Sequence, residues 1–457
     1  MTDTVYDMVV LGAGSGGYAA ALRGAQLGLR VALIEADRVG GTCLHRGCVP
    51  TKAILHAAET VDAVRGARAL GVDAELRGVD MTALNAYKDS IVTRMYKGLQ
   101  GLIAARGIDL ITGRGRLAGA GAVEVDGRAV RGRNIVLATG SYSKTIGQHI
   151  DDRVLTSEGA LRLERLPASA VVLGGGVIGV EFASAWASLG ARVTIIEALP
   201  RLVPGEDEAV SKQLERAFRK RRIAVRTNTM FESVERHDGG VTVRTQDGKT
   251  HDAEVLLIAV GRGPVTADLG YEQAGVAMDR GFVTTDAFGR TSAPGVWAVG
   301  DIVPGVQLAH RGFAQGIVVA EKIAGLDPVP VDDALVPRVT FCEPEIASVG
   351  LTEARARQVH GADAVTTAEF NVAGNAKSQI LGAQGFVKLV SLKDGPIVGF
   401  HAIGARMGEQ VGEGQLIVNW EADADDVAAL VHAHPTQNET LGEAAMALAG
   451  KPLHNHG

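Results

Sequence analysis

One glycine-spaced unit occurs twice in this chain, and that repetition constrains the fold more than any other feature. Tyr6-Asp-Met-Val-Val-Leu11 is an apolar run followed by Gly12, Gly14 and Gly17 at G-x-G-x-x-G spacing. A helix pattern then reaches about Leu27, and Arg30-Val-Ala-Leu-Ile-Glu35 is a second apolar run. Val171-Val-Leu173 starts the second copy, with Gly174, Gly176 and Gly179 at the same spacing. The copies also agree downstream, Leu27-Gly-Leu-Arg-Val-Ala-Leu-Ile-Glu-Ala36 beside Leu189-Gly-Ala-Arg-Val-Thr-Ile-Ile-Glu-Ala198. Each reads as a strand, a tight turn, a helix and a second parallel strand. The glycines let the backbone turn sharply against a pyrophosphate, which the helix N-terminus attracts through unpaired N–H groups. Glu35 and Glu197 each stand 18 residues after the last glycine of their unit, where a strand-end carboxylate can accept from a ribose hydroxyl. A lone fingerprint is weak evidence, but two with equal internal spacing predict two dinucleotides and an α/β chain with two Rossmann-like domains.

The second feature is Gly40-Gly-Thr-Cys-Leu-His-Arg-Gly-Cys-Val-Pro-Thr-Lys52, which holds two of the three cysteines, Cys43 and Cys48. A continuous helix would set their Cα atoms roughly 7.5 Å apart, beyond the about 6.8 Å a disulfide spans. Gly47 supplies backbone freedom and Pro50 disfavours α geometry before it, so a bent turn can bring the sulfurs together. Spacing alone leaves a redox pair and two buried thiols equally open. Zinc would need further Cys or His ligands at metal spacing, and no such cluster exists, so no metal is expected. Because the first glycine unit adjoins the cysteines, a flavin is expected there and a nicotinamide in the second.

A length of 457 residues suggests about three domains. Net charge of −6, no long block of like charge and 4% aromatics argue against nucleic acid as a partner. No uncharged apolar run reaches the about 18 residues of a membrane span, and no signal core precedes Tyr6. Few cysteines fit a reducing compartment, so a cytoplasmic protein is expected.

Residues 55–107 read as helical and 115–137 as short strands ending at Ala138-Thr139-Gly140, with a polar crossing over 142–153. Residues 209–226 read as a helix whose basic end, Arg219-Lys-Arg-Arg222, is solvated. Strands over 229–260 end at Gly261-Arg262, and an apolar strand closes on Gly300-Asp301, placing a carboxylate at a sheet's carboxyl end. From Pro337 the pattern becomes α+β. It contains His432-Ala-His434-Pro-Thr-Gln-Asn-Glu439, in which Glu439 can orient the His434 imidazole or His434 can simply lie at a helix start. His454 and His456 read as a frayed terminus, and Cys342 as a core residue. The expected division is 1–150, 151–270, 271–336 and 337–457.

Together the cysteine stretch, both fingerprints, Ala138-Thr-Gly140, Gly300-Asp301 and His434-Pro435 resemble the flavoprotein disulfide reductases, also called pyridine nucleotide-disulfide oxidoreductases. The resemblance covers almost the whole chain in one motif order. It implies FAD in the first domain, NAD in the second, a completing segment, and a C-terminal domain that forms a homodimer. It implies reoxidation of protein-bound dihydrolipoamide through a Cys43–Cys48 disulfide, with lipoyl domains of an oxo-acid dehydrogenase complex as partners. Cys43 would meet the substrate, Cys48 would face the flavin, and Lys52 would lie beside it, paired with Glu181. Glu35 and Asp301 would hold the FAD ribose and ribitol, and Glu197 the NAD ribose. Thr42, Thr139, Gly140, Gly261 and Ala309 would complete the cofactor contacts. His434, steered by Glu439, would be the base for the other subunit's cysteines. Gly179, Val177 and Glu197 favour NAD over NADPH and so count against a glutathione-type reductase. A redox-inactive scaffold is the remaining alternative. His45-Arg46, Thr51 and the passage 144–150 depart from the usual pattern.

Overall fold

The computed structural model describes residues 5–119 and 121–454, which leaves His456 outside the described residues. The chain divides into two compact units, residues 1–53, 82–144 and 261–333, and residues 54–81, 145–260 and 334–457.

In the first unit, strands β1 (Val5–Leu11), β2 (Val31–Glu35), β3 (Asp109–Thr112), β4 (Gly115–Leu117), β5 (Ala122–Val125) and β6 (Arg128–Leu137) run in the order β3-β2-β1-β6-β5-β4. The first four in that order are parallel. The near-continuous apolar runs of β1 and β2 follow from burial on both faces. β6 is shared, since its first half pairs antiparallel with β5 and Ile135–Leu137 pairs parallel with Val296–Ala298. Helices α1 (Ser15–Gln26), α2 (Gly41–Arg46), α3 (Cys48–Gly66) and α4 (Met81–Ala105) follow in the chain. The helix expected over 55–107 is therefore interrupted, with Gly71 in the left-handed region (φ 80) after a short 3-10 turn. The Ala309–Ile323 helix lies against α1 so closely that a Cβ on Gly316 would come 2.3 Å from the Gly16 oxygen.

The second unit repeats the parallel arrangement in the order Ala224–Arg226, Arg192–Ile196, Ser169–Leu173, Val255–Ile258, Val154–Leu155. The Val177–Leu189 helix is almost wholly buried. The next helix spans Glu208–Lys220 and stops short of the expected 226, because Arg222 is left-handed (φ 61) and Ala224–Arg226 is an edge strand. Its basic end is not merely solvated. The Arg221 guanidinium donates to Ser184 Oγ at 2.7 Å and Ser188 Oγ at 2.5 Å, donates to the Glu343 carbonyl at 2.7 Å, and lies 3.6 Å from Asp62.

A five-stranded antiparallel sheet completes this unit, ordered Arg338–Thr340, Glu345–Gly350, Ile397–Gly404, Phe386–Leu392, Val365–Asn371. The Met407–Asn419 and Glu439–Leu448 helices share its core, built around Val349, Leu389, Phe400 and Leu441. Buried Lys388 reaches Asp207 at 2.9 Å and Glu353 at 2.7 Å, joining the cap of the Glu208–Lys220 helix to this sheet. No helix among the described residues is long and apolar enough to cross a membrane.

Candidate active site

The two glycine turns have nearly the same geometry. Gly12 and Gly174 adopt φ +99 and +108, and a Cβ on either would lie 2.4 Å from a carbonyl oxygen, that of Ala138 or Ala259. On Gly17 or Gly179 a Cβ would fall 1.8 or 1.9 Å from the oxygen of Gly12 or Gly174. The middle glycines, Gly14 and Gly176, face open space, with no side chain capping the helix that follows. Unpaired N–H groups and room beside them suit a pyrophosphate. Glu35 accepts from the Ala13 N–H at 2.8 Å and the Asp37 N–H at 2.9 Å. Glu197 accepts from Gly175 at 2.5 Å and Leu199 at 2.7 Å. Each carboxylate is thus oriented by main chain on both oxygens, at the place a ribose would reach. The residues present fit one dinucleotide at each turn.

Gly140 (φ +77) has open space at its Cβ position, as does Gly261 (φ +103), three residues after the Val255–Ile258 strand. Asp301 accepts from the Ser141 hydroxyl at 2.5 Å, and Arg262 Nε holds that hydroxyl at 2.7 Å. Thr139 donates its hydroxyl to the Val265 carbonyl at 2.6 Å and meets the Tyr271 hydroxyl at 2.9 Å, so that hydroxyl is already engaged within the protein. Ala309 opens a helix that no side chain caps. Glu181, buried in the second unit, accepts from the Phe341 N–H at 2.9 Å.

The cysteines sit on two helices, not one. The chain breaks at Gly47 (φ −144, ψ −112), between the end of α2 and the start of α3. A Cβ there would meet the Thr42 oxygen at 3.0 Å. Pro50 lies within the first turn of α3, where a missing N–H costs no helical bond, so the bend is not at the proline. Both cysteines are thiols in this structure. The Cys43 thiol hydrogen-bonds to Cys48, and that contact, followed by burial, raises its pKa far above the usual range while Lys52 opposes the shift. Tyr18 is pushed up to about 12 by burial and by Cys43. Thr51 donates its hydroxyl to the Gly47 carbonyl at 2.6 Å. His45 bonds the Val39 carbonyl at 2.9 Å and meets the Tyr96 ring edge-on, while Arg46 lies 3.1 Å from Asp37. The two residues that depart from the usual pattern between the cysteines thus anchor α2.

In the second unit His434 Nδ1 lies 2.8 Å from Glu439 Oε1, and the other oxygen accepts from the Thr436 N–H at 2.8 Å. Burial pushes the Glu439 carboxyl up, but the Thr436 N–H and His434 more than offset it and hold the group below its ordinary range. The His434 side chain is 71% exposed, so with Nδ1 engaged its Nε2 is presented to an incoming group. Sequence reasoning missed Tyr18 beside Cys43 and the contact of His432 with Glu413, because their partners lie far away along the chain. It also read His454 as frayed, whereas His454 Nδ1 bonds Glu443 at 2.7 Å.

A dithiol beside one dinucleotide turn, with a second turn on the same chain, defines an oxidoreductase that exchanges electrons between thiols and a nicotinamide. The chain belongs to the pyridine nucleotide-disulphide oxidoreductase family, which it matches over residues 6–316, with that family's dimerisation domain over 336–445. It is 38% identical over 460 residues to a dihydrolipoyl dehydrogenase of Bacillus subtilis (strain 168), covering 98% of this chain and 97% of the relative. It is 38% identical over 458 residues to that of Thermus scotoductus, covering 98% of each. Among solved structures, LpdA of Mycobacterium tuberculosis matches with a TM-score of 0.90 at 27% identity, over 96% of this chain and 99% of that one. The HOCl-induced flavoprotein disulfide reductase RclA of Escherichia coli matches at 0.86 and 28%, over 96% and 99%.

Proposed function

We propose that the chain reoxidises protein-bound dihydrolipoamide to lipoamide, using a Cys43–Cys48 disulfide, FAD and NAD, as the flavoprotein component of an oxo-acid dehydrogenase complex. Full-length relatives named for this activity support the reading, and the hydrogen-bonded Cys43–Cys48 pair is the observation that carries it. The protein is a homodimer whose C-terminal domain supplies the contact. Lipoyl domains are its partners, and its compartment is the cytoplasm. Residues 1–150 and 271–336 serve FAD, 151–270 NAD, and 337–457 the dimer.

A substrate thiol gives its proton to Nε2 of His434, contributed by the other subunit, and the thiolate so formed attacks Cys43 Sγ of the bridged pair. A mixed disulfide forms as the Cys43–Cys48 bond breaks, and Cys48 leaves as a thiolate. His434 releases that proton to solvent, and its Nε2 then takes the proton of the second substrate thiol. Its sulfur then displaces Cys43, and lipoamide departs with a ring disulfide. Glu439 fixes the His434 tautomer and stabilises the imidazolium. Cys43 takes the second proton back from His434 and hydrogen-bonds to Cys48. Bound FAD and NAD supply the hydride chemistry that returns the pair to its bridged form. Gly12, Gly14, Gly17, Glu35, Thr42, Lys52, Thr139, Gly140, Asp301 and Ala309 would hold FAD, and Gly174, Gly176, Gly179, Glu181, Glu197 and Gly261 would hold NAD.

The test mixes the protein with dihydrolipoamide and NAD, then NADP, and follows nicotinamide absorbance. Rapid NADH formation with little NADPH is expected. A flavin-containing protein reduced by NADH but not by dihydrolipoamide would move the reading to another disulfide substrate.

A further inference from the structure

We infer that Glu413 and His432 are positioning residues for the thiol-directed base, forming a second histidine–carboxylate pair that closes the His434 segment on itself. This rests on the reading of His434 as that base. His432 Nε2 lies 2.7 Å from Glu413 Oε1, with the two side chains 12% and 23% exposed. The other Glu413 oxygen accepts from Asn438 Nδ2 at 2.5 Å. One carboxylate on the Met407–Asn419 helix therefore grips both ends of the segment with His434 near its middle. Asn438 leads directly into Glu439, so the grip also sets where the orienting carboxylate stands.

The ring of His432 seats against the helix that starts with Glu439, since a Cβ on Gly442 would lie 2.5 Å from its Nδ1. Remaining ties are uncharged: Asn375 Nδ2 to the Thr436 carbonyl at 3.0 Å, Gln437 Nε2 to the Ala405 carbonyl at 2.8 Å, and Ser378 Oγ to Gln437 at 2.6 Å. Glu413 adds to these a charge that comes from outside the segment, beside the Glu439 carboxylate that follows it. Its contact raises the pKa of His432, while burial of Glu413 itself is outweighed by His432 and Asn438. The two pairs interlock along the chain, each carboxylate holding one histidine and one further residue of the same segment.

The test measures two half-reactions in the holoenzyme by rapid mixing, reduction of the bound flavin by dihydrolipoamide and its reduction by NADH. Glu413→Gln is expected to slow the dihydrolipoamide half-reaction about ten- to a hundredfold, the usual cost of losing a group that orients a working residue. Flavin content and the NADH half-reaction should stay at wild-type levels. His432→Asn should lose a similar factor, and the double variant should be no worse than the weaker single variant, as for two halves of one contact. Wild-type dihydrolipoamide rates in both single variants would overturn the inference. Equal decline of both half-reactions with loss of flavin in both variants would reduce the pair to a structural role and overturn it too. A wild-type protein reduced by NADH but never by dihydrolipoamide would remove the functional reading itself, and the inference with it.

Discussion

The two glycine turns superimpose in their contacts but not in what closes the sheets behind them. Gly12 and Gly174 meet equivalent carbonyls at the same 2.4 Å, and Glu35 and Glu197 accept from equivalent N–H groups. The fifth parallel strand of the first sheet, Val296–Ala298, arrives from far downstream and leads into Asp301 and the Ala309–Ile323 helix against α1. The matching strand of the second sheet, Val154–Leu155, comes from just upstream and leads only into the four-residue helix Ser157–Ala160. Identical turns can therefore serve different purposes. The first is backed by an added strand, carboxylate and helix, as suits a resident cofactor, and the second lacks a long helix and carboxylate delivered that way, as suits a nucleotide that must come and go.

Four experiments break or sharpen this contrast. The largest effect is expected from alanine at the first glycine of each turn, where both sterics and a positive φ oppose a side chain. Gly12→Ala should purify without flavin, while Gly174→Ala should keep flavin and lose about a hundredfold in kcat/KM for NAD. Equal flavin loss in both, read from absorbance per protein, would end the distinction. Next, Glu197→Gln should raise KM for NAD about tenfold at unchanged flavin content, and Glu35→Gln should increase flavin loss on dialysis at unchanged KM, each the cost of one charged hydrogen bond. Crossed outcomes would reverse the assignment.

Gly316→Ala acts only behind the first turn, crowding Gly16. A loss of about 1–3 kcal/mol in thermal unfolding is expected, with faster flavin release and no change in KM for NAD. A raised KM would show that the Ala309–Ile323 helix serves both turns. The smallest effect at neutral pH belongs to Asp207, whose carboxyl burial pushes up but Lys388 and the Glu353 N–H hold below its ordinary range. A carboxyl with a folded-state pKa below its unfolded value of about 3.9 stabilises above that pH. The contribution disappears as pH falls through the folded-state value. Urea midpoints should therefore fall below about pH 4. Asp207→Asn should flatten that part of the curve, and an unchanged acid limb would leave the Lys388 contact without a role in acid stability.

Much of this was legible because it is local. The glycine spacings, the strand-end glutamates and His434 with Glu439 depend on residues close in sequence, where periodicity and turn chemistry report directly. The bend between the cysteines was foreseen, but only the crowding of Gly47 by the Thr42 carbonyl places it at the glycine and leaves Pro50 in a helix turn. Arg221 looked solvated because its partners, Asp62, Ser184, Ser188 and Glu343, lie on other elements of its unit. Glu413 likewise stands on a helix, 19 residues before His432, which lies in the stretch between helices. Nothing in a one-dimensional pattern announces such pairings, nor the joining of Val296–Ala298 to β6.

That last pairing also fixes an order of assembly. A nascent chain released as far as Ile258 already contains every strand of the second parallel sheet, whereas the first still lacks Val296–Ala298. Domains fold largely as they emerge during synthesis, and long-range pairings wait for their partners. The N-terminal nucleotide domain is thus begun first and finished later, and until residue 298 has been made its fifth parallel strand is missing beside β6.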